Sequence, residues 1–137
     1  MQHGDSEKKA LYTRKELFDR IRTSLGGRAA EIVYYGEEDG ISTGASGDLV
    51  NATSVAKRII TTYGMDEQFG LASYSGELNG NDEKLRDRIN EILGKELRNA
   101  IAIISEKKKI IDALTAELME KNHLSAEEIY SIYTNNL

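Results

Sequence analysis

Few residues in this chain could do chemistry, and most of the familiar arrangements for it are missing. Cysteine is absent, which excludes disulfides, thiol nucleophiles and thiolate metal sites. Only two histidines occur, His3 and His123, too far apart in sequence to form a helical HExxH pair. There is no GxxxxGK[ST] phosphate loop and no GxSxG nucleophile turn. His3 lies in a polar, unpatterned start, and His123 in a KNHLS junction between helical stretches, where a cap or surface role is the commoner one. The acidic residues offer one candidate. Asp48, in STGASGDL, is a short carboxylate at a loop-to-helix junction and could ligate a metal. The alternative is a helix-start aspartate stabilised by free amides, an effect of about 0.3–1 kcal/mol. Spacing alone favours the second. Glu37, Glu38 and Asp39 read as a solvated turn, Glu127 and Glu128 as a helix start. The basic run Lys107, Lys108 and Lys109 is offset by Glu106 and Asp112 and reads as a solvated helix face.

The elements that must position these residues are helical. The 137 residues include 39% apolar and 30% charged side chains, the balance of one globular domain. The net charge of -5 argues against a sequence-independent nucleic-acid or anionic-membrane partner. No run approaches the ~20 apolar residues of a membrane span. The opening MQHGDSEKKA has no apolar core of a signal peptide, so no direct membrane contact is expected from this chain. Proline is absent, which permits long helices.

Residues 1–12 are expected to be a flexible segment, and 13–137 a helical unit. Thr13 and Glu16 form a capping box, followed by Leu17, Phe18, Ile21 and Leu25 at helical spacing. Gly26 and Gly27 either break that helix or mark a close crossing by another backbone; Ala29, Ala30, Ile32 and Val33 favour one helix to Tyr35, with both glycines in a packing role. Residues 36–47 carry four glycines and three small hydroxyl residues and read as a loop. Leu49, Ala52, Ala56, Ile59 and Tyr63 then mark one face of a helix, with Ser46 as its N-cap and Asp48 in its first turn. Residues 64–82 form a second glycine-rich connection, with an extended piece near Leu71–Tyr74. Leu85, Ile89, Ile92, Leu93, Leu97, Ala100, Ile101 and Ile104 make one apolar stripe. Ile111, Leu114 and Leu118 continue it after a phase slip that predicts a bend or short break. Ser125 and Glu128 form a second capping box before a short helix with Ile129 and Ile132. The fold expected is an all-α helical bundle with little or no strand.

Three stretches carry a resemblance. LGGRAAE at Leu25–Glu31, TGAS-x-DL-x-x-AT at Thr43–Thr53 and YGM-[SD]-E-x-x-G at Tyr63–Gly70 are similar, in order and spacing, to the protease domain of the FtsH family of membrane-bound, ATP-dependent zinc metalloproteases. YTRKELFDRI at Tyr12–Ile21 and HLSAEEIY near the end resemble the family's flanking helices, so the likeness covers nearly the whole chain. The resemblance implies that Asp48 is the third zinc ligand, beside two histidines of an HExxH motif whose glutamate is the general base. Thr43, Gly44, Ala45 and Ser46 would support the site, and Gly26 and Gly27 would pack helices. It further implies a homo-hexameric parent that degrades unfolded or membrane proteins. That parent would be membrane-anchored, with its protease domain on the cytoplasmic side and ATP bound by a module absent from this chain. The chain departs from the family in several ways: HExxH, expected some tens of residues before Tyr12, is missing, as are the ATPase module and membrane segments that precede the protease domain; the usual Glu-Glu after GGRAA is the single Glu31, and the long helix lacks a tyrosine often found in its first half. No catalytic residue is therefore assigned in this chain, and the isolated polypeptide is expected to be inactive and to expose an apolar face where the missing helix packs. The competing expectation is a stand-alone, non-catalytic helical interaction module.

Overall fold

A computed structural model describes residues 11–74, 82–121 and 126–135. Six α-helices occupy these residues: α1 Arg14–Ser24, α2 Gly26–Tyr35, the single turn α3 Glu37–Gly40, α4 Ser46–Thr61, α5 Glu83–Lys121 and α6 Ala126–Asn135. A 3-10 turn, Thr43–Ala45, leads into α4. The fold is all-α, as the periodicity implied. Among the described residues there is no strand, only an isolated bridge between Asp66 and Gly70. None of the described helices is long and apolar enough to cross a membrane. His3, His123 and Ser125 lie outside the described residues, as do the first ten of the residues expected to be flexible.

α1 begins as expected: the Thr13 hydroxyl accepts from Glu16 N–H at 3.1 Å while the Glu16 carboxylate accepts from Thr13 N–H at 2.8 Å. Its apolar face, Leu17, Ile21 and Leu25, meets Ala52, Val55, Ala56, Ile59 and Ile60 of α4. Leu85, Ile89 and Ile92 of α5 close the core. Each fully buried Leu or Ile contributes roughly 1.5–3 kcal/mol relative to exposure, so this three-helix junction holds the domain together.

Four local expectations change. The helix does not run unbroken through the glycines: it turns at Leu25 (φ -87°, ψ -1°), where Gly26 makes departure from helical phase cheap while Leu25 stays in the core. The 36–47 connection is more regular than a loop, holding α3 and the 3-10 turn. Ser46 is the first residue of α4, not its cap; Ala45 takes that position with no side-chain bond. Capping occurs earlier, at Ser42, whose hydroxyl accepts from Gly44 N–H at 3.1 Å. Finally, α5 has no break across SEKKK. It is one helix of 39 residues, about 58 Å long at 1.5 Å per residue.

α4 ends where Thr62 and Tyr63 N–H both donate to Arg58 O at 2.9 Å. Gly64 then takes φ 62°, a left-handed conformation open to glycine, and a Cβ there would sit 3.0 Å from Leu71 O. The returning loop is fastened by Asp66. Its fully buried carboxylate accepts from Arg88 Nε at 2.9 and 3.1 Å and from Arg88 Nη2 at 2.7 Å. A second buried carboxylate, Glu96, accepts from Arg22 Nε at 3.1 Å and ties α1 to α5.

Candidate metal-ligand site

The candidate site is assembled by one face of α2. Gly27 and Glu31 are four residues apart and therefore share that face, one turn above the other. The chain leaving α2 doubles back along it through α3. Gly40 permits this close return: a Cβ there would collide with the Glu31 carbonyl oxygen and lie 2.8 Å from Tyr35 Cβ. Ser42 follows, held by α2. Its hydroxyl donates to Glu31 Oε2 and its N–H to Glu31 Oε1 at 3.4 Å. Arg28 completes the clamp, with Nε on Glu31 Oε1 and Nη2 on Ser42 O, both at 3.3 Å. The Ser42 hydroxyl holds the Glu31 carboxyl below the usual carboxylate range; partial burial opposes this, and the Ser42 amide and the Arg28 charge reinforce it.

The clamp delivers the chain to the 3-10 turn. Thr43, Gly44 and Ser46 are exposed, while Ala45 is buried against the bundle. Asp48 stands in the first turn of α4 and is exposed. It makes no hydrogen bond or ion pair with the described residues. Gly27 lies beside it: a Cβ on that glycine would lie 3.7 Å from Asp48 Oδ2, an ordinary contact. A Cβ on Gly26 would meet nothing within 4 Å. The tight backbone approach is thus at Gly40 rather than at the paired glycines.

An unpartnered, solvent-facing carboxylate on a rigid helix start has the donor chemistry of a zinc or other hard-cation ligand. It is one ligand only, since no group of three or more His, Cys, Asp or Glu that could hold a metal occurs among the described residues. Asp48 fits one position of a ligand set and not a complete set. The other acidic candidates stay apart from it: Glu37, Glu38 and Asp39 form the exposed face of α3, and Glu127 the exposed start of α6. Lys107 and Lys109 are exposed, whereas Lys108 bonds Asp112 at 2.6 Å and lies 5.5 Å from the Tyr34 ring centre, so part of that run braces α2 against α5.

Three arrangements escaped sequence reasoning, the Arg22–Glu96 pair, 74 residues apart, being the most distant. The Arg28–Glu31–Ser42 clamp joins residues up to 14 apart, and the Asp66–Arg88 pair joins residues 22 apart. The Ser-Thr-Gly order at 42–44, typical of a hydroxyl-capped turn, is a local signal that could have flagged Ser42.

Comparison with known proteins supplies the context for this geometry. The family model for peptidase family M41 matches residues 2–132. The ATP-dependent zinc metalloprotease FtsH 1 of Methylacidiphilum infernorum is 35% identical over 142 aligned residues, covering 93% of this chain and 22% of that protein. The YME1 homolog of Schizosaccharomyces pombe, an ATP-dependent zinc metalloprotease, is 33% identical over 88% of this chain and 18% of its own length. The FtsH of Thermus thermophilus is 32% identical, over 88% of this chain and 21% of its own length. The chain spans about a fifth of the length of these relatives.

Proposed function

The chain belongs to peptidase family M41, and from that premise we propose that it is part of the proteolytic domain of an ATP-dependent zinc metalloendopeptidase, to which it supplies the third zinc ligand, Asp48. The observation that carries the proposal is the exposed carboxylate of Asp48, without a partner among the described residues and held at a helix start by a connection pinned to α2. A carboxylate already engaged in an ion pair would need to break it before binding metal; Asp48 has none with the described residues. Gly27 leaves the space beside it open. Thr43, Gly44, Ala45 and Ser46 shape the approach. Ile41 and Val50, close to Asp48 in sequence, are 43% and 71% exposed, as expected of a surface on which a further element packs.

Zinc bound by three protein ligands supplies an activated water for peptide hydrolysis. The chain's own contribution is one oxygen donor of fixed position. By the same reading the working protein is a membrane-anchored homo-hexamer with its protease domain on the cytoplasmic side. It binds ATP through a separate module and degrades unfolded or membrane proteins. The names of the relatives support the zinc, ATP and protease parts of this reading.

The test joins this chain to the HExxH-bearing segment of a relative's protease domain. The fusion is expected to retain zinc through dialysis and to digest denatured casein, and Asp48→Asn to abolish both. Zinc retention undiminished by Asp48→Asn would overturn the ligand assignment. The 137-residue chain alone is expected to cleave nothing; chelator-sensitive digestion by it would show that the missing motif is dispensable.

A further inference from the structure

We propose that Glu31 is a positioning residue for Asp48, acting through Ser42. This rests on the reading of Asp48 as a metal ligand. Between Gly40 and Asp48 the chain has one buried side chain, that of Ala45. Apolar packing therefore fixes little of this connection, and its course depends on polar contacts. Those contacts converge on Glu31. Its two oxygens take the Ser42 hydroxyl, the Ser42 amide and Arg28 Nε, while Arg28 Nη2 holds the Ser42 carbonyl. Every hydrogen-bonding group of Ser42 is thus engaged, and its hydroxyl passes the restraint onward by accepting from Gly44 N–H at 3.1 Å. From Gly44 the 3-10 turn runs directly into α4, whose third residue is Asp48.

The same face of α2 meets the connection at both ends. Glu31 grips Ser42 at its start, and Gly27, one turn away, lies beside the Asp48 carboxylate at its finish. A displacement of Ser42 from Glu31 would therefore move the start of α4 relative to the face against which Asp48 is set. Glu31 remains a carboxylate committed to hydrogen bonds within the chain. It acts on a metal only through where it places Asp48.

Amide hydrogen exchange on the 137-residue chain tests the placement directly, without metal. In Glu31→Ala, the amides from Gly44 to Asp48 are expected to exchange at least about tenfold faster, while those of Ile59 and Ile60 in the core of α4 keep their rates. Ser42→Ala should reproduce this pattern. The double variant should fall short of the two single effects combined, because both remove the Ser42 hydroxyl–Glu31 bond. Glu31→Gln, which still accepts from the Ser42 hydroxyl, should recover part of the protection. Unchanged exchange at 44–48 in Glu31→Ala overturns the proposal. So does uniform acceleration that includes Ile59 and Ile60, which would make Glu31 a general stability residue. If Glu31→Ala fails to fold, Glu31→Gln decides instead: faster exchange at 44–48 with Ile59 and Ile60 unchanged supports the proposal, and unchanged or uniformly faster exchange overturns it.

Zinc competition against a chromogenic chelator, on the complete zinc-loaded protease, separates this proposal from the one beneath it. Weaker zinc binding in both Asp48→Asn and Glu31→Ala supports the two together. Loss with Asp48→Asn alone overturns the positioning role. Loss with neither overturns the ligand assignment, and with it any role of Glu31 in placing a ligand.

Discussion

Replacing Arg88 with alanine should damage this domain more than its surface position suggests. The guanidinium meets Asp66 through three N–H···O contacts of 2.7, 2.9 and 3.1 Å, and the Asp66 carboxylate is fully buried. Without Arg88, Asp66 keeps only backbone amide partners, Phe69 N–H at 3.2 Å among them. Breaking a buried pair by removing one partner costs about 3–5 kcal/mol. Arg88 is 19% exposed, so the lower end applies, about 3 kcal/mol. For a chain of this size that is a fall in Tm of roughly 12 °C. The assay is thermal and urea unfolding followed by circular dichroism. Its pH dependence carries a sign. In the wild type, burial pushes the Asp66 carboxyl up, but the Arg88 bonds and charge and the Phe69 and Gln68 amides outweigh it and hold it low. A lowered carboxyl contributes stability above the unfolded value of about 3.9, and that stability is lost as pH falls through the folded value. Without Arg88, burial dominates and the carboxyl rises. Its contribution is then largest below about pH 4 and is lost as pH climbs. The gap between variant and wild type should therefore narrow from about pH 6 to about pH 4. A loss under about 1 kcal/mol, or a gap that does not narrow, would refute the reasoning. The paired variant Asp66→Leu/Arg88→Met should recover most of the loss, since no charge is left buried.

Three further outcomes are expected. Gly40→Ala must push its methyl group into the Glu31 carbonyl and Tyr35, and should cost about 1–3 kcal/mol in urea unfolding. Gly26→Ala meets nothing within 4 Å and should be neutral or stabilising by up to about 1 kcal/mol; equal effects at the two positions would refute the contrast. Thr13→Ala removes the reciprocal cap of α1 and should lower stability by about 1 kcal/mol, with Thr13→Ser restoring most of it in the same assay.

Much of this architecture was legible because it is local. The Thr13–Glu16 box, the Leu17–Ile21–Leu25 face and the stripe from Leu85 to Ala100 are repeats within one helix, and spacing alone reveals them. The phase slip at residues 105–109 is not a break in the backbone. α5 stays helical there, and what changes is which residues remain covered. Ser46 misled because a cap is defined by backbone geometry, and the preceding 3-10 turn moved the capping role to Ser42. Asp66 and Arg88 could not be paired in advance, since nothing in either helix or loop periodicity records which distant charge shares a buried position. Asp48 was legible as a helix-start aspartate from spacing and as a ligand candidate only from the motif around it. That no described residue pairs with it is visible in three dimensions alone.

The length of α5 has a consequence for how the domain melts. Its buried residues end at Ala100, while its backbone continues to Lys121, with Ile111, Leu118 and Met119 exposed. One continuous ladder of hydrogen bonds therefore joins two regions of unequal protection. Heat should unwind the far end while the near end is still locked in the core. A calorimetric enthalpy larger than the van't Hoff value would report that decoupling. The rod is one helix by geometry and is expected to melt as two cooperative units.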